Sequence, residues 1–284
     1  MPNSTTWPII DIFNAAYEEV RKVLRFQRTA VRTTPVLHRD AVIAADKVTA
    51  PAAPALADVG VGGGLAFNTT YNVSLAVSNR WGPTTCSTPA AQLTANDAAN
   101  THIVRVTPAA MPAGGDCFEV FLSTDAGPKW VGRVTAAQVT AGCVINPVGT
   151  VTSPGGVAGS IDIACVGTGR QTTDAVFAKN NAFKLSGITA IDCTGETKLH
   201  FDLKLALTGF LTAPSVDVIP FFQNQASAGD WHAGLLQTVS FLNGAGTPLE
   251  QTLDLDTEGH PAVVLLVASI AGDGAALSVW QSKS

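Results

Sequence analysis

The sequence is poor in charge. Asp, Glu, Lys and Arg supply 14% of its 284 residues, against about 25% in an average soluble domain. With Ala, Thr, Val and Gly plentiful, that balance suits β-structure built from small side chains. No run of 18 or more apolar residues occurs, so no membrane span is expected, and the most apolar stretch, "PAVVLLVASIAG" at 261–272, has strand length. Nor is a secretory leader expected: "WPIIDIFNAAYEEV" interrupts its apolar residues with acids and has no basic start. The expectation is a chain made and kept in a cytoplasm. Cysteine pairs are missing too. Cys86, Cys117, Cys143, Cys165 and Cys193 are spaced 31, 26, 22 and 28 residues apart, without CxxC. That excludes a zinc pattern and favours reduced, buried thiols. No Gly-x-Ser-x-Gly elbow appears, and His38, His102, His200, His232 and His260 are scattered. "GVGGG" at 60–64 has neither the Lys nor the helix of a phosphate loop, so it reads as a flexible turn. We expect no cofactor and no enzyme, although 22 acids leave a carboxylate pair open to any fold.

The charge that is present is unevenly placed. Residues 20–39 carry six basic side chains and no acid, whereas 46–284 carry 11 basic and 18 acidic ones. From Pro8 to about Arg28, Ile9, Phe13, Ala16, Val20 and Val23 step by 4, 3, 4 and 3, and Ile10, Tyr17 and Leu24 widen the stripe. This predicts an amphipathic helix, with acids before bases along its polar face. The proline-bearing segment that follows reads as an extended connector, completing an arm over residues 1–46. A lone helix of this length is marginal in water, so its stripe must dock on the chain, on sister subunits or on another protein. The basic run lacks interleaved aromatics and reads as a solvated face or a contact to an acidic protein surface rather than to nucleic acid.

Two further regions read as antiparallel β-sandwiches, giving a mainly β protein. In the first, residues 47–150, Tyr71, Val73, Leu75 and Val77 alternate with Asn72, Ser74, Ala76 and Ser78, and "CFEVFLSTDAGPKWVGRVT" predicts a hairpin. "PVGTVTSPGGVAGS" has the composition of a linker, assigned to 151–160. In the second region, 161–284, "KLHFDLKLALTGF" alternates most clearly. Five more strand-like runs argue for a jelly-roll-like sandwich.

"TTYNVSLAVSNRWGPT" resembles the Tyr-x-Val-x-x-x-Ala-x-Asn-x-x-Gly strand of fibronectin type III and related immunoglobulin-like modules. "CFEVFLSTDAGPKWVGRV" resembles their Trp-bearing hairpin. In the ordinary module the hairpin precedes the Tyr strand; here the order is swapped. That permuted arrangement, over about residues 48–150, looks like modules of tailed-bacteriophage structural proteins. The resemblance implies a non-enzymatic virion protein, within that class a head decoration or cement protein. Its partners would be capsid or other virion proteins and sister copies, with trimers suggested by analogy. Ile9, Phe13, Tyr17, Val20 and Leu24 are then the expected anchors, and Arg21, Arg25, Arg28 and Arg32 would meet acidic patches.

The alternative is a tail or head fibre component whose second sandwich reads a host glycan. Trp231, expected in a loop, would stack on a sugar ring, as would Trp81 in "NRWGP", although loop tryptophans commonly pack over a sandwich edge. "DLDTEGH" sets Asp254, Asp256, Glu258 and His260 at alternate positions, where a hard cation could bind. An EF-hand would need an acid where Leu265 stands, so the favoured reading is the solvent face and turn of a strand, and no metal is expected.

Overall fold

The computed structural model describes residues 34–97, 100–124, 127–153, 155–206, 213–242, 249–271 and 275–283. These residues are mainly β, 53% of them in strands and 4% in helices. The helix expected at 8–28, and with it the anchoring residues from Ile9 to Arg32, lies outside the described residues.

The chain forms two compact units that are not consecutive in sequence. One comprises Asp46–Ser186; the other combines the segment up to Ala45 with Gly187 onward. The connector therefore contains a strand, β1 (Val36–Val42), which pairs antiparallel with the last strand of the second unit.

In the unit of residues 46–186, β2 is Ala55–Leu65, β3 Thr70–Asn79, β4 Gly82–Pro83, β5 Ala90–Leu93 and β6 His102–Thr107. Next come β7 (Cys117–Ser123), β8 (Lys129–Thr135), helix α1 (Ala136–Ala141), β9 (Cys143–Ile145), β10 (Val151–Thr152), β11 (Ile161–Ile163) and helix α2 (Ala175–Ala178). One sheet has the order β10-β9-β11-β6-β2; the other is β4-β3-β7-β8, with β5 also on β3. Tyr71, Val73, Leu75 and Val77 do face inward, meeting Val104, Val106, Ile145, Ile161 and Ile163 of the opposite sheet in one core. The Tyr71 hydroxyl accepts the Ala66 N–H at 2.8 Å, pinning the corner between β2 and β3.

The outer face of β3 and β7 is covered by the chain's own return. Phe177 of α2 meets Phe121 edge-on, ring centroids 4.9 Å apart. Beside it, Glu119 is buried yet fully engaged: Ser78 Oγ donates at 3.0 Å, Trp130 Nε1 at 2.7 Å, and Arg133 Nε and Nη2 at 2.9 and 2.6 Å. A bulge between Val120 and Phe121 lets Trp130 reach this outer network while Val131 and Val134 stay in the core.

The expected linker at 151–160 and the domain start at 161 are corrected here. β10 pairs with β9, and β11 pairs with both β6 and β9. Gly156 of this stretch serves close packing, since a Cβ there would lie 2.9 Å from the Cys143 carbonyl oxygen, whereas Gly159 takes a positive φ of 82°. "GVGGG" is likewise no flexible turn but the bulged end of β2. A Cβ on Gly63 would fall 2.0 Å from the His102 carbonyl oxygen.

The two ends of this unit are stitched together. Val48 N–H donates to the Ala182 carbonyl (2.8 Å), Lys184 N–H to that of Asp46 (3.0 Å), and Asn180 Nδ2 to that of Val48 (2.7 Å). Val48 and Ala182 are both fully buried.

In the other unit, β1 is followed by β12 (Ile191–Asp192), β13 (Lys198–Ala206), β14 (Ser215–Asn224), β15 (Ser227–Ala233) and β16 (Gln237–Ser240). β17 (Leu249–Asp256), β18 (Ala262–Ala271) and β19 (Ala276–Lys283) complete it. One sheet is β1-β19-β13-β17; the other is β12-β18-β14-β15, with β16 also on β14. Leu199, Phe201, Leu203 and Leu205 of β13 share a core with Val216, Val218, Val263, Leu265 and Val267 of the opposite sheet. With β15 and β16 counted as one position, the strands of the unit run first, eighth, third, sixth in one sheet and second, seventh, fourth, fifth in the other.

A unit whose ends are tied to each other behaves as an insertion that its host tolerates. Residues 46–186 expressed alone should unfold in one cooperative thermal transition followed by circular dichroism. A chain in which a short Gly/Ser linker joins Ala45 to Gly187 should retain the β-sheet spectrum of the host unit.

Candidate functional site

The outward face of the β1-β19-β13-β17 sheet gathers most of the chemistry of its unit. Because Leu199, Phe201, Leu203 and Leu205 point into the core, Lys198, His200, Asp202 and Lys204 between them point out. Register places them opposite Asp256, Asp254, Thr252 and Glu250 of β17. Three cross-strand pairs result: Lys198–Asp256 at 3.8 Å, His200 Nδ1–Asp254 at 2.6 Å and Lys204–Glu250 at 2.7 Å. Exposed pairs of this kind are individually weak, but they fix which charges face each other.

On the other side of β13, Asp202 stands opposite Trp280 of β19, and Trp280 stands opposite Leu37 of β1. Leu37, Trp280, Asp202 and Thr252 thus form one row across four strands. The Trp280 indole is half-buried, with the Lys204 ammonium 5.1 Å from its centroid. A groove of about 620 Å³ runs over this row, lined among others by Pro35, Trp280, Asp202, Lys204, Glu250 and Thr252. Among the described residues the Asp202 carboxylate has no hydrogen-bond or ionic partner.

The acidic segment at 254–260 divides. Asp254 and Asp256 occupy the solvent face of β17, as the alternation predicts, and each is engaged by β13. Glu258 sits in the following turn at positive φ, 51°. His260 folds back to the opposite sheet, its Nδ1 3.0 Å from the Gln223 carbonyl oxygen. There it meets His232 (4.7 Å between centroids) and Phe222 (5.1 Å) beside a smaller groove of about 340 Å³. Sequence spacing gives no hint of this ring cluster, because only the pairing of β14 with β15 brings His232 to Phe222. Among the described residues no group of three or more His, Cys, Asp or Glu side chains is arranged to hold a metal ion.

Trp231 is not in a loop. It lies on β15 opposite Gln223, half-buried, and is not among the residues lining the larger groove. Trp81 occupies the tight turn from β3 to β4, with the Arg80 guanidinium 4.4 Å from its ring centroid.

The cysteines are free and poorly suited to nucleophilic work. Burial, reinforced by the Glu119 charge, pushes the Cys86 thiol up to about 12; burial pushes Cys143 and Cys193 up to about 11.

In the unit of residues 46–186, His102 is buried between two carboxylates. Its Nε2 lies 2.6 Å from Asp97 and its Nδ1 3.0 Å from Asp58. Both ring nitrogens are thus aimed at acceptors, the arrangement of an imidazolium. The hydrogen bond to Asp97, then that to Asp58, raises the His102 pKa. Burial acts to raise Asp58, but the Gly60 and Ala95 N–H groups and His102 outweigh it and carry the carboxyl below its usual range. The cluster ties β2 to the segment before β6, and its shape leaves no room for a ligand between the three side chains.

No protein-family model matches the chain, and no curated protein does. Among solved structures, it is similar to one described as the crystal structure of PBSX exported protein XepA. The identity is 11%, over 88% of this chain and 86% of that one, and the TM-score is 0.20. So loose a superposition carries no argument about function.

The His102 cluster makes stability pH-dependent in a defined direction. A histidine whose pKa is raised on folding contributes fully below its unfolded value of about 6.5, and that contribution is lost as pH rises through the folded value. Asp58 and Asp97 are shifted down, so they act at the other end: their contribution is lost as pH falls through their folded values. The melting temperature of residues 46–186 should therefore decline on the alkaline side of about pH 6.5. In His102→Gln it should be lower at neutral pH, and that alkaline decline should be flattened. Differential scanning calorimetry across pH reads both.

Proposed function

We propose that the chain is a non-enzymatic structural protein of a tailed-phage particle, and within that class a head decoration or cement protein fastened through residues 1–33. The observation that carries this reading is the strand order around Tyr71. β5-β3-β7-β8 is the order of the G, F, C and C′ strands of a fibronectin type III module. The bond from Tyr71 to the Ala66 N–H is the tyrosine corner expected where the F strand begins. β2 and β3 precede β7 and β8, which is the permutation that the sequence motifs carry. The host unit supports the same reading: its first-eighth-third-sixth and second-seventh-fourth-fifth strand orders match those expected of a jelly roll.

Physically, such a chain is two sandwiches with free, buried or half-buried thiols and largely paired charges on β13 and β17, plus an N-terminal segment carrying an apolar stripe and a basic run. Capsid or other virion proteins, and sister copies, would be its partners. Attachment repeated over many copies needs only weak individual contacts. Its place would be the virion, assembled in the host cytoplasm.

The deletion that tests the arm must stop at residue 33, because removing residues through 45 also removes β1 from its sheet. The full chain should cosediment saturably with phage heads stripped of accessory proteins. Residues 34–284 should bind at least about tenfold more weakly. Undiminished binding of the truncated chain would overturn the proposal.

A further inference from the structure

We propose that the outward face of the β1-β19-β13-β17 sheet binds a neutral saccharide, one pyranose ring lying against Trp280 with its hydroxyls donating to Asp202. The site does not rest on the arm-anchoring reading, since it involves none of residues 1–33.

The charges around the groove select the ligand class. Lys204 and Glu250 satisfy each other at 2.7 Å, and Lys198 lies 3.8 Å from Asp256, leaving Asp202 as the carboxylate without a partner among the described residues. An anionic ligand would meet Asp202 and Glu250. A cationic one would meet Lys204, which already lies 5.1 Å above the indole, and would find one ring where cation recognition uses a cage of several. What remains is a neutral molecule rich in hydroxyl donors with an apolar face. A pyranose has both: its axial C–H groups carry partial positive charge and suit the electron-rich indole, while a carboxylate accepts two hydroxyls at once.

The groove is organised for such a guest. Trp280 stands between Leu37 and Asp202 in the cross-strand register, so its place in the row is set before binding. The Thr252 hydroxyl continues the row beyond Asp202, offering both a donor and an acceptor. Lys204 is already paired with Glu250 at 2.7 Å, so it can swing off the indole when the sugar enters and keep its ionic partner. The volume of about 620 Å³ lies in the range of small-molecule sites.

The test is calorimetric titration of the full chain with cellotriose, maltotriose, mannotriose and triacetylchitotriose, and pull-down on immobilised polymers of the same linkages. At least one is expected to bind saturably. Trp280→Ala and Asp202→Asn should each weaken that binding by about tenfold or more. Trp280→Phe, which keeps a ring and the sheet packing, should retain most of it, and Trp231→Ala should leave it unchanged. Binding to a polymer but to no trisaccharide would identify an extended polysaccharide as the source; binding to a trisaccharide alone would identify a soluble sugar. The proposal is overturned if no sugar binds, if Trp280→Ala binds as the parent does, or if Trp231→Ala abolishes binding instead.

Discussion

The pairing of Val36–Val42 with Ala276–Lys283 is the constraint around which the rest of the chain is arranged. Ala41 and Ser278 meet across a sequence separation of 237, so everything between must leave the sheet edge and return to it. Closing a loop costs more entropy the longer it is, though the increase is slow. Here much of the loop is itself a folded unit whose first and last residues are hydrogen-bonded to each other. To the host, the insertion is then equivalent to a tight turn, because the ordering of residues 46–186 is offset by their own core. The same logic explains why Val48 and Ala182 are among the fully buried residues of that core.

A chain with so few charges can bury one only if it is fully satisfied, and Glu119 is. Four donated hydrogen bonds from Ser78, Trp130 and Arg133 surround it, and removing any of these groups would leave a desolvated carboxylate short of a partner. The outer surfaces of the two units handle charge differently. On β13 and β17 the ions are solvent-facing and, Asp202 apart, matched across strands, so they set register and leave one uncompensated carboxylate in the groove over Trp280.

Strands with a strictly alternating pattern are legible in the amino-acid order alone. β13 and β3 show it: in "KLHFDLKLA" and "YNVSLAV" every second residue is apolar and ends in a core. Strands whose identity depends on a distant partner are not. "VLHRDAV" has no apolar alternation and sits among prolines, "IDI" is three residues long, and "SAGDWHA" is held by pairing to β14 rather than by its own pattern. The glycine and serine of 151–160 signal turns correctly, but composition cannot say whether a turn joins two strands or two domains. The candidate site divides the same way. Alternation places Asp254 and Asp256 on a solvent face, while their partners Lys198 and His200 emerge only from the register of two strands. Nothing local marks Trp280; its setting is made by Leu37 and Asp202, both far away in sequence.

The position of β19 inside its sheet, between β1 and β13, carries a consequence for synthesis. Domains fold as units while the chain emerges, the earlier ones first. Residues 46–186 hold all the strands of their own two sheets and can close before β12 has been made. The host cannot: β1 and β13 each present an open edge until residues 276–283 arrive to fill the space between them. During that interval the finished insertion keeps the two waiting segments connected through ends that already touch. The slow, long-range steps of this topology are thereby reduced to the docking of two late strands, β18 between β12 and β14 and β19 between β1 and β13.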